Sequence, residues 1–388
     1  MQDIAHNLTP AERTWNPIYG ISKEESLGGK TMFFDGTQKS LERTDYETVI
    51  IGVPEDGNSF DKNNCSKSPY IIRCNLYGLR GINGQKLLDA GNIKGKTIKE
   101  SYYALQEIAE WFLKKNKTII VIGGSHDLTV PLFDALETVK NKISITVCDA
   151  MIDLDIEGKN FSSRAWLNKL NRSKKDSLED LTLTGIQNYL ISENLENKIR
   201  DRYFDIIRLS ELRGNGIKKS EIPLRDSDLF SFDFRAIKGK YSFSQDITSP
   251  HGLEPYEACK MCHYAGLSCK LSVLGLFETS DDNPENQNNS VLAAQMIWHF
   301  IEGLSGRYYD IPSQEDSRYK KFVVFLEIFG KDVQFYNNQL NGRWWFEVPT
   351  EQGDKKIFSC DHEDYLKAME NELPDKFWRL YMNINKIK

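Results

Sequence analysis

The chain has 388 residues, 40% hydrophobic and 27% charged, a balance that fits a folded globular protein and excludes a disordered or fibrous one. Its net charge of −6, with Lys and Arg scattered, excludes the basic footprint of a nucleic-acid or anionic-membrane binder. No apolar run approaches the roughly 18 residues a bilayer span needs, so no membrane insertion is expected.

The opening Met1-Gln2-Asp3-Ile4-Ala5 lacks the apolar region of a secretory signal. Seven cysteines is an odd number, and they are not arrayed as a disulfide framework, so a reducing, cytoplasmic setting is expected.

Residues 1–45 are polar without a strong period and are expected to form an N-terminal extension. Short apolar, β-branched runs then recur at residues 48–53, 118–122, 143–147, 181–186, 204–209, 229–234 and 272–277. Runs of this kind suit strands buried on both faces of a parallel sheet. Helical stripes lie between them: residues 101–114 carry Leu105, Ile108, Ala109 and Phe112 on one face, and residues 255–267 and 290–304 are similar. Strand and helix alternate, which predicts an α/β class with right-handed crossovers.

Beyond about residue 310 the alternation stops. Residues 322–328, 333–336 and 343–348 read as strands, with Asn341-Gly342 as a hairpin turn between the last two. Residues 363–372 and 377–382 read as closing helices. The expected organisation is a main domain over 46–309 and a hairpin-plus-helix extension over 310–388. Trp344, Trp345 and Phe346 are consecutive, so at least one is expected to face a partner or another part of the chain. Lys174-Lys175 and Lys320-Lys321 read as solvated loop or helix faces.

In open α/β sheets ligands sit beyond the carboxyl ends of the strands. Three strand ends there carry chemistry: Gly123-Gly124-Ser125-His126-Asp127, then Cys148-Asp149-Ala150-Met151-Ile152-Asp153-Leu154-Asp155, then Phe232-Asp233-Phe234-Arg235. One imidazole and several carboxylates converging at one rim would suit a hard or borderline divalent ion such as manganese. A single Asp at a strand end is often only a helix cap, but three such ends in succession are harder to dismiss.

These segments resemble the ureohydrolases, the arginase, agmatinase and formimidoylglutamase family, which carry Gly-Gly-x-His, Asp-Ala-His-x-Asp and Ser-x-Asp-x-Asp in that order. The counterparts are Gly123 to His126, Asp149 to Asp153 and Ser231 to Arg235. Ile51-Gly52-Val53-Pro54 with Ser68-Pro69-Tyr70-Ile71-Ile72-Arg73 is similar to the family's first strand and first helix. Leu274 to Glu278 resembles its strand ending in a substrate-holding Glu, and Asn289 to Ala294 its last helix. Ser162-Ser163-Arg164-Ala165-Trp166 is closer to the formimidoylglutamase branch. The resemblance spans about residues 45–308. It implies a three-layer α/β/α fold with a mainly parallel sheet of about eight strands, and commonly a homo-oligomer.

By the same resemblance His126, Asp149, Asp153 and Asp233 are ligands of a first manganese ion, Asp153 and Glu278 are catalytic, and Glu278 binds substrate. The two ligands belonging only to the second ion are replaced by Met151 and Arg235. A thioether is a poor ligand for a hard ion, and a guanidinium cannot coordinate one. Arg235 is instead expected to pair with Asp149 or Asp233, and Glu278 to pair with a neighbour such as Arg235. At most one manganese ion, or none, is expected. No His stands between His126 and His251, so the proton-shuttling His of arginases is absent.

The leading expectation is an arginase-family protein with an incomplete dinuclear site and a binding, regulatory or scaffold role. Its partner surface is expected at Trp344-Trp345-Phe346 in the C-terminal extension, which would serve a homo-oligomer or a protein partner. The alternative is an active one-metal hydrolase of a guanidino or formimino compound, and a third reading is a ligand sensor.

Cys259-Lys260-Met261-Cys262-His263 matches the haem-attachment spacing but lies in a predicted helix, so Cys259, Cys262 and Cys269 are read as small core residues. A zinc site there lacks a nameable fourth ligand. Gly123-Gly124 lacks the third Gly of a dinucleotide fingerprint. Ser125 and Ser231 are expected to have no neighbouring His that makes a convincing triad.

Overall fold

The structure is a computed structural model that describes residues 3–13, 16, 18, 20–60, 64–155, 161–173, 176–239, 249–280, 288–313, 315–351 and 353–386. Lys174-Lys175 lie outside the described residues. The chain divides into two compact units, Met1–Leu195 with Ile206–Arg307, and Glu196–Asp205 with Tyr308–Lys388.

The strands of the large sheet are β1 (Leu8–Thr9), β2 (Thr31–Phe33), β3 (Thr48–Gly52), β4 (Leu87–Ile93), β5 (Thr118–Ile122), β6 (Ile143–Cys148), β7 (Leu178–Ile186), β8 (Asp205–Arg208), β9 (Leu229–Asp233) and β10 (Val273–Phe277). Their order is β1-β4-β3-β5-β10-β9-β6-β7-β8, with β2 also on β4. Pairings among β2 to β7, β9 and β10 are parallel, and β1 is antiparallel to β4.

The apolar runs form strands because they bury both faces. Ile50, Ile120, Phe230, Phe232, Leu274 and Leu276 pack into one core with Ile72, Met261, Met296 and Phe300 from the helices Ser68–Leu76, Pro255–Leu267 and Asn288–Ser305. Val49, Ile51, Ile119 and Val121 alternate with these residues and are equally buried, so they face the other side. The helices Ile98–Leu113 and Thr129–Glu137 pack on each other and on β5 and β6, which completes the α/β/α layers.

Among the described residues the sheet has ten strands, three beyond the seven apolar runs. Two of the additions come from residues 1–45, which enter the sheet through β1 and β2 and bury Ile4, Leu8, Leu27, Phe34 and Leu41. These apolar residues are too sparse to show a period, and neighbouring strands supply the order. The third addition, β4, hides behind Asp89, Gly91 and Asn92, which are poor strand formers. Arg73 satisfies Asp89 with a two-pronged ion pair at 2.7 and 2.9 Å and also donates to Asn92, so the polar strand can be buried.

The second unit is a four-stranded antiparallel meander of β11 (Tyr319–Leu326), β12 (Lys331–Asn338), β13 (Trp344–Pro349) and β14 (Lys355–Cys360). The helices His362–Met369 and Asp375–Ile384 follow it. Val324, Leu326, Phe335, Phe346, Val348, Phe358, Phe377 and Leu380 form its core. Gly342, in the expected turn, has φ +74°.

The extension is thus more than a hairpin, since β14 begins with two lysines and its apolar run is short. Lys320 and Lys321 are exposed on a strand, not on a loop or helix. The aromatic triplet is not a free surface: Trp345 and Phe346 are buried, and Trp344 stacks on His362 and Tyr365.

Candidate functional site

Four adjacent parallel strands, β5, β10, β9 and β6, end at the same rim. Register places Ile122 beside Leu276, Phe277 beside Asp233, and Phe232 beside Cys148. The residues that follow therefore form a row, with His126, Glu278, Asp233 and Asp149 each leaving a neighbouring strand.

Local backbone sharpens these exits. Gly123 and Gly124 have φ of +87° and +78°, and a Cβ on either would meet Pro69 or Leu128 at 2.5 Å or less. Glu278 itself sits in the left-handed region at φ +55°. A non-glycine residue there carries backbone strain.

His126, Asp149, Asp153 and Asp233 are all buried, and their ligand atoms lie within 4.8 Å of one another. His126 Nδ1 is 2.8 Å from Asp153 Oδ2, 3.1 Å from Asp233 Oδ2 and 3.5 Å from Asp149 Oδ2. Trp166 Nε1 donates to Asp153 Oδ2 at 3.0 Å.

The Arg235 guanidinium lies among the same carboxylates. Its Nη2 stands 2.6 Å from Asp233 Oδ2, 3.0 Å from Asp153 Oδ2 and 3.4 Å from Asp149 Oδ2, and Nε donates to Asp233 Oδ2 at 2.9 Å. Arg235 is 2% exposed. Its backbone N–H also donates to Asp233 Oδ1, a bond of the tight turn that follows β9. Met151 is partly buried, and its backbone N–H donates to Asp149 Oδ1.

Electrostatics follow from this crowding. Burial disfavours the charged form of His126, but Asp233 and hydrogen bonds to all three aspartates outweigh it and hold the imidazole well above its usual range. Burial likewise works against the Arg235 charge, and Asp153, Asp233 and Asp149 overcome it. Burial raises Asp149, with repulsion from Asp153 added and Arg235 opposing.

Glu278 accepts hydrogen bonds from Ser59 Oγ at 2.9 Å and from the His126 backbone N–H at 3.1 Å. Burial raises it, while the Arg235 charge pulls it back. Asp127 is pushed up to about 7 by burial, and Asn58 donates to it at 2.9 Å.

Ser231 does acquire a His neighbour in space. Its Oγ is 3.0 Å from His126 Nε2 and 2.6 Å from Thr129 Oγ1. The resulting Ser–His–Asp chain is sealed, because Ser231 is fully buried within β9 and its hydroxyl is engaged. Ser231 therefore positions the imidazole and has no access to a substrate carbonyl. Trp166, Ser59, Asn58 and Thr129 complete the surroundings. Only the segment holding Trp166 stands out in the sequence, and nothing there reveals that its indole reaches Asp153.

A dinuclear manganese centre does not fit these residues. Met151 and Arg235 offer no hard donor, and the guanidinium occupies the space between the carboxylates. The donor set of His126, Asp149, Asp153 and Asp233 suits one hard ion chemically. Such an ion would have to displace Arg235 from three ion pairs.

The sequence profile of the Arginase family matches residues 46–302, well over half of the chain. A formimidoylglutamase of Staphylococcus haemolyticus is 25% identical over 244 residues, covering 61% of this chain and 78% of that protein. Among solved structures, a Trypanosoma cruzi formiminoglutamase with manganese is similar at TM-score 0.60 and 24% identity, covering 69% of this chain and 96% of that one. The formimidoylglutamase of Bacillus subtilis gives 0.61 at 18% identity, covering 69% and 90%. The proclavaminate amidino hydrolase of Streptomyces clavuligerus gives 0.57 at 18% identity, covering 68% and 93%. These structures share the fold, and the Ser162 to Trp166 segment points to the same branch as the formimidoylglutamases among them. With its parallel sheet, its row of strand-end acids and this match, the chain belongs to the arginase family.

Proposed function

We propose that this arginase-family chain is a catalytically impaired homologue in which an arginine replaces the second metal ion. The observation that carries the reading is the buried Arg235 Nη2 within 3.4 Å of Asp149, Asp153 and Asp233. Hydrolysis at a paired-ion centre needs both ions to acidify the bridging water and hold it in line. A permanently protonated guanidinium neutralises the carboxylates but binds no hydroxide.

The role is binding, regulation or scaffolding in a reducing, cytoplasmic setting, which seven free cysteines support. A homo-oligomer or a protein partner engages the C-terminal unit. Exposed Val323 and Phe325 on β11 suit that contact better than the largely buried triplet at 344–346.

The second reading is a one-metal hydrolase of a guanidino or formimino compound, with Asp153 and Glu278 catalytic and Glu278 holding the substrate. It is favoured by the four donors within 4.8 Å.

Metal content and turnover of the purified chain decide between the two. The impaired reading expects no more than one manganese per chain and no manganese-dependent release of urea or formamide. Two ions per chain, or saturable manganese-dependent release, overturns it.

A further inference from the structure

Away from the acid cluster, a second group of ligand atoms stands on the helix pair Pro255–Leu267 and Asn288–Ser305. His263 lies on the first helix, and His299 and Glu302 lie one turn apart on the second. We propose that His263, His299 and Glu302 form a binding site for a divalent transition ion of the zinc class, cross-bracing these two helices.

The distances carry the assignment. Donor atoms at about 2.0–2.2 Å from a tetrahedral ion stand about 3.3–3.6 Å from one another. His263 Nδ1 is 3.3 Å from Glu302 Oε2, and His299 Nδ1 is 3.2 Å from the same oxygen. All three ligand atoms fall within 4.8 Å of one another.

His263 Nδ1 is buried and faces Glu302 Oε2 without a well-formed hydrogen bond to it. Two imidazoles and one carboxylate are the donor mix of zinc sites that leave one position to water.

The framework is fixed before any ion arrives. A Cβ on Gly266 would lie 2.2 Å from Phe300 O, and one on Gly303 would lie 2.4 Å from His263 O, so the helices touch backbone to backbone. That contact holds His263 within reach of Glu302, one residue before Gly303.

Tyr256, Cys259 and Lys260 line the same shallow cleft of about 160 Å³. The Lys260 ammonium works against a cation. It lies 5.2 Å over the Tyr264 ring, however, and screening by water weakens repulsion at a partly exposed site. Cys259 lines the cleft one turn before His263, and its sulfur is not among the three grouped donor atoms.

The test uses the full chain, stripped with chelator and titrated with cobalt(II), read by the visible absorption of the tetrahedral ion and by displacement with zinc. One equivalent is expected to bind. His263→Ala and His299→Ala should each weaken binding by at least about tenfold, and the double variant should abolish the cobalt band. Zinc should also raise the thermal midpoint of the native chain and leave that of the double variant unmoved. Both histidines are partly exposed, so the metal-free variants should unfold at the native temperature. A cobalt band of undiminished affinity in the double variant, or no band in the native chain, overturns the assignment.

Discussion

At the scale of single residues, Arg235 decides what the acid cluster can be. Three carboxylates and an imidazole share a space within 4.8 Å with almost no water to screen them. Removing a partner from a buried ion pair typically costs about 3–5 kcal/mol, because the remaining charge stays buried and uncompensated. Arg235→Leu is therefore expected to lower stability by about that amount in chemical denaturation. Loss below about 1 kcal/mol would show that the guanidinium does not hold the carboxylates together. Around His126, Ser231 lies at Nε2 and Asp153 at Nδ1, and Thr129 in turn engages the Ser231 hydroxyl. Arg235 was visible in the sequence as a misfit in a Ser-x-Asp-x-Asp pattern. Asp149 and Asp233 were expected as its partners through the family resemblance; that Asp153 joins them was not, because it depends on how the strand ends converge.

At the scale of elements, the second unit is organised around Asp310. Its Oδ1 accepts from Tyr319 Oη and Asn338 Nδ2, and its Oδ2 accepts from Asn341 Nδ2 and Arg343 Nη1, all at 2.7 to 2.9 Å. One carboxylate thus ties β11, the end of β12 and the turn into β13. Burial alone would raise Asp310, but the hydrogen bonds from Tyr319, Arg343, Asn338 and Asn341 win and lower it. A carboxyl depressed in the folded state stabilises fully above its unfolded value of about 3.9, and loses that contribution as pH falls through the lower folded value. Asp310→Asn should reduce amide-exchange protection across β12 and β13 by about 1–3 kcal/mol at neutral pH. The gap between variant and native chain should close progressively below about pH 4. A gap that persists unchanged at lower pH would mean that the carboxylate charge is not what matters. In the main unit the close helix crossing sets a comparable demand. Gly303→Ala should destabilise by about 1–3 kcal/mol, checked by thermal unfolding, since the new methyl meets the His263 carbonyl.

At the scale of the whole molecule, the sheet gathers charge from four strands into one rim, and folding brings about the burial of that charge. If Arg235 stands in for a metal, then restoring hard donors should exchange one cation for another. Met151→His with Arg235→Asp is expected to bind manganese and to gain about 2.7 kcal/mol of stability at a hundredfold excess over its dissociation constant. The native chain should show no such gain under the same conditions. Equal thermal shifts in both would show that Arg235 does not compete with the ion.

The α/β class and seven of the ten strands seen among the described residues could be read from the sequence, because each depends on residues close together in the chain, and the acid cluster through the order of three strand-end motifs that resemble a family's. A continuous apolar run specifies a doubly buried strand, and the polar residue after it must lie at the rim. Where burial needs a distant partner, the sequence is silent. β4 looks unlike a strand until Arg73 meets Asp89. The aromatic triplet looks like a surface until the meander folds over it, and residues 1–45 look structureless until β4 offers them an edge. His263, His299 and Glu302 belong to two separate helical stripes, and only the Gly266 and Gly303 crossing brings them together. Local patterning decided which elements form. Packing between elements far apart in the chain decided which charges, rings and donors meet, because those energies exist only once the chain has folded.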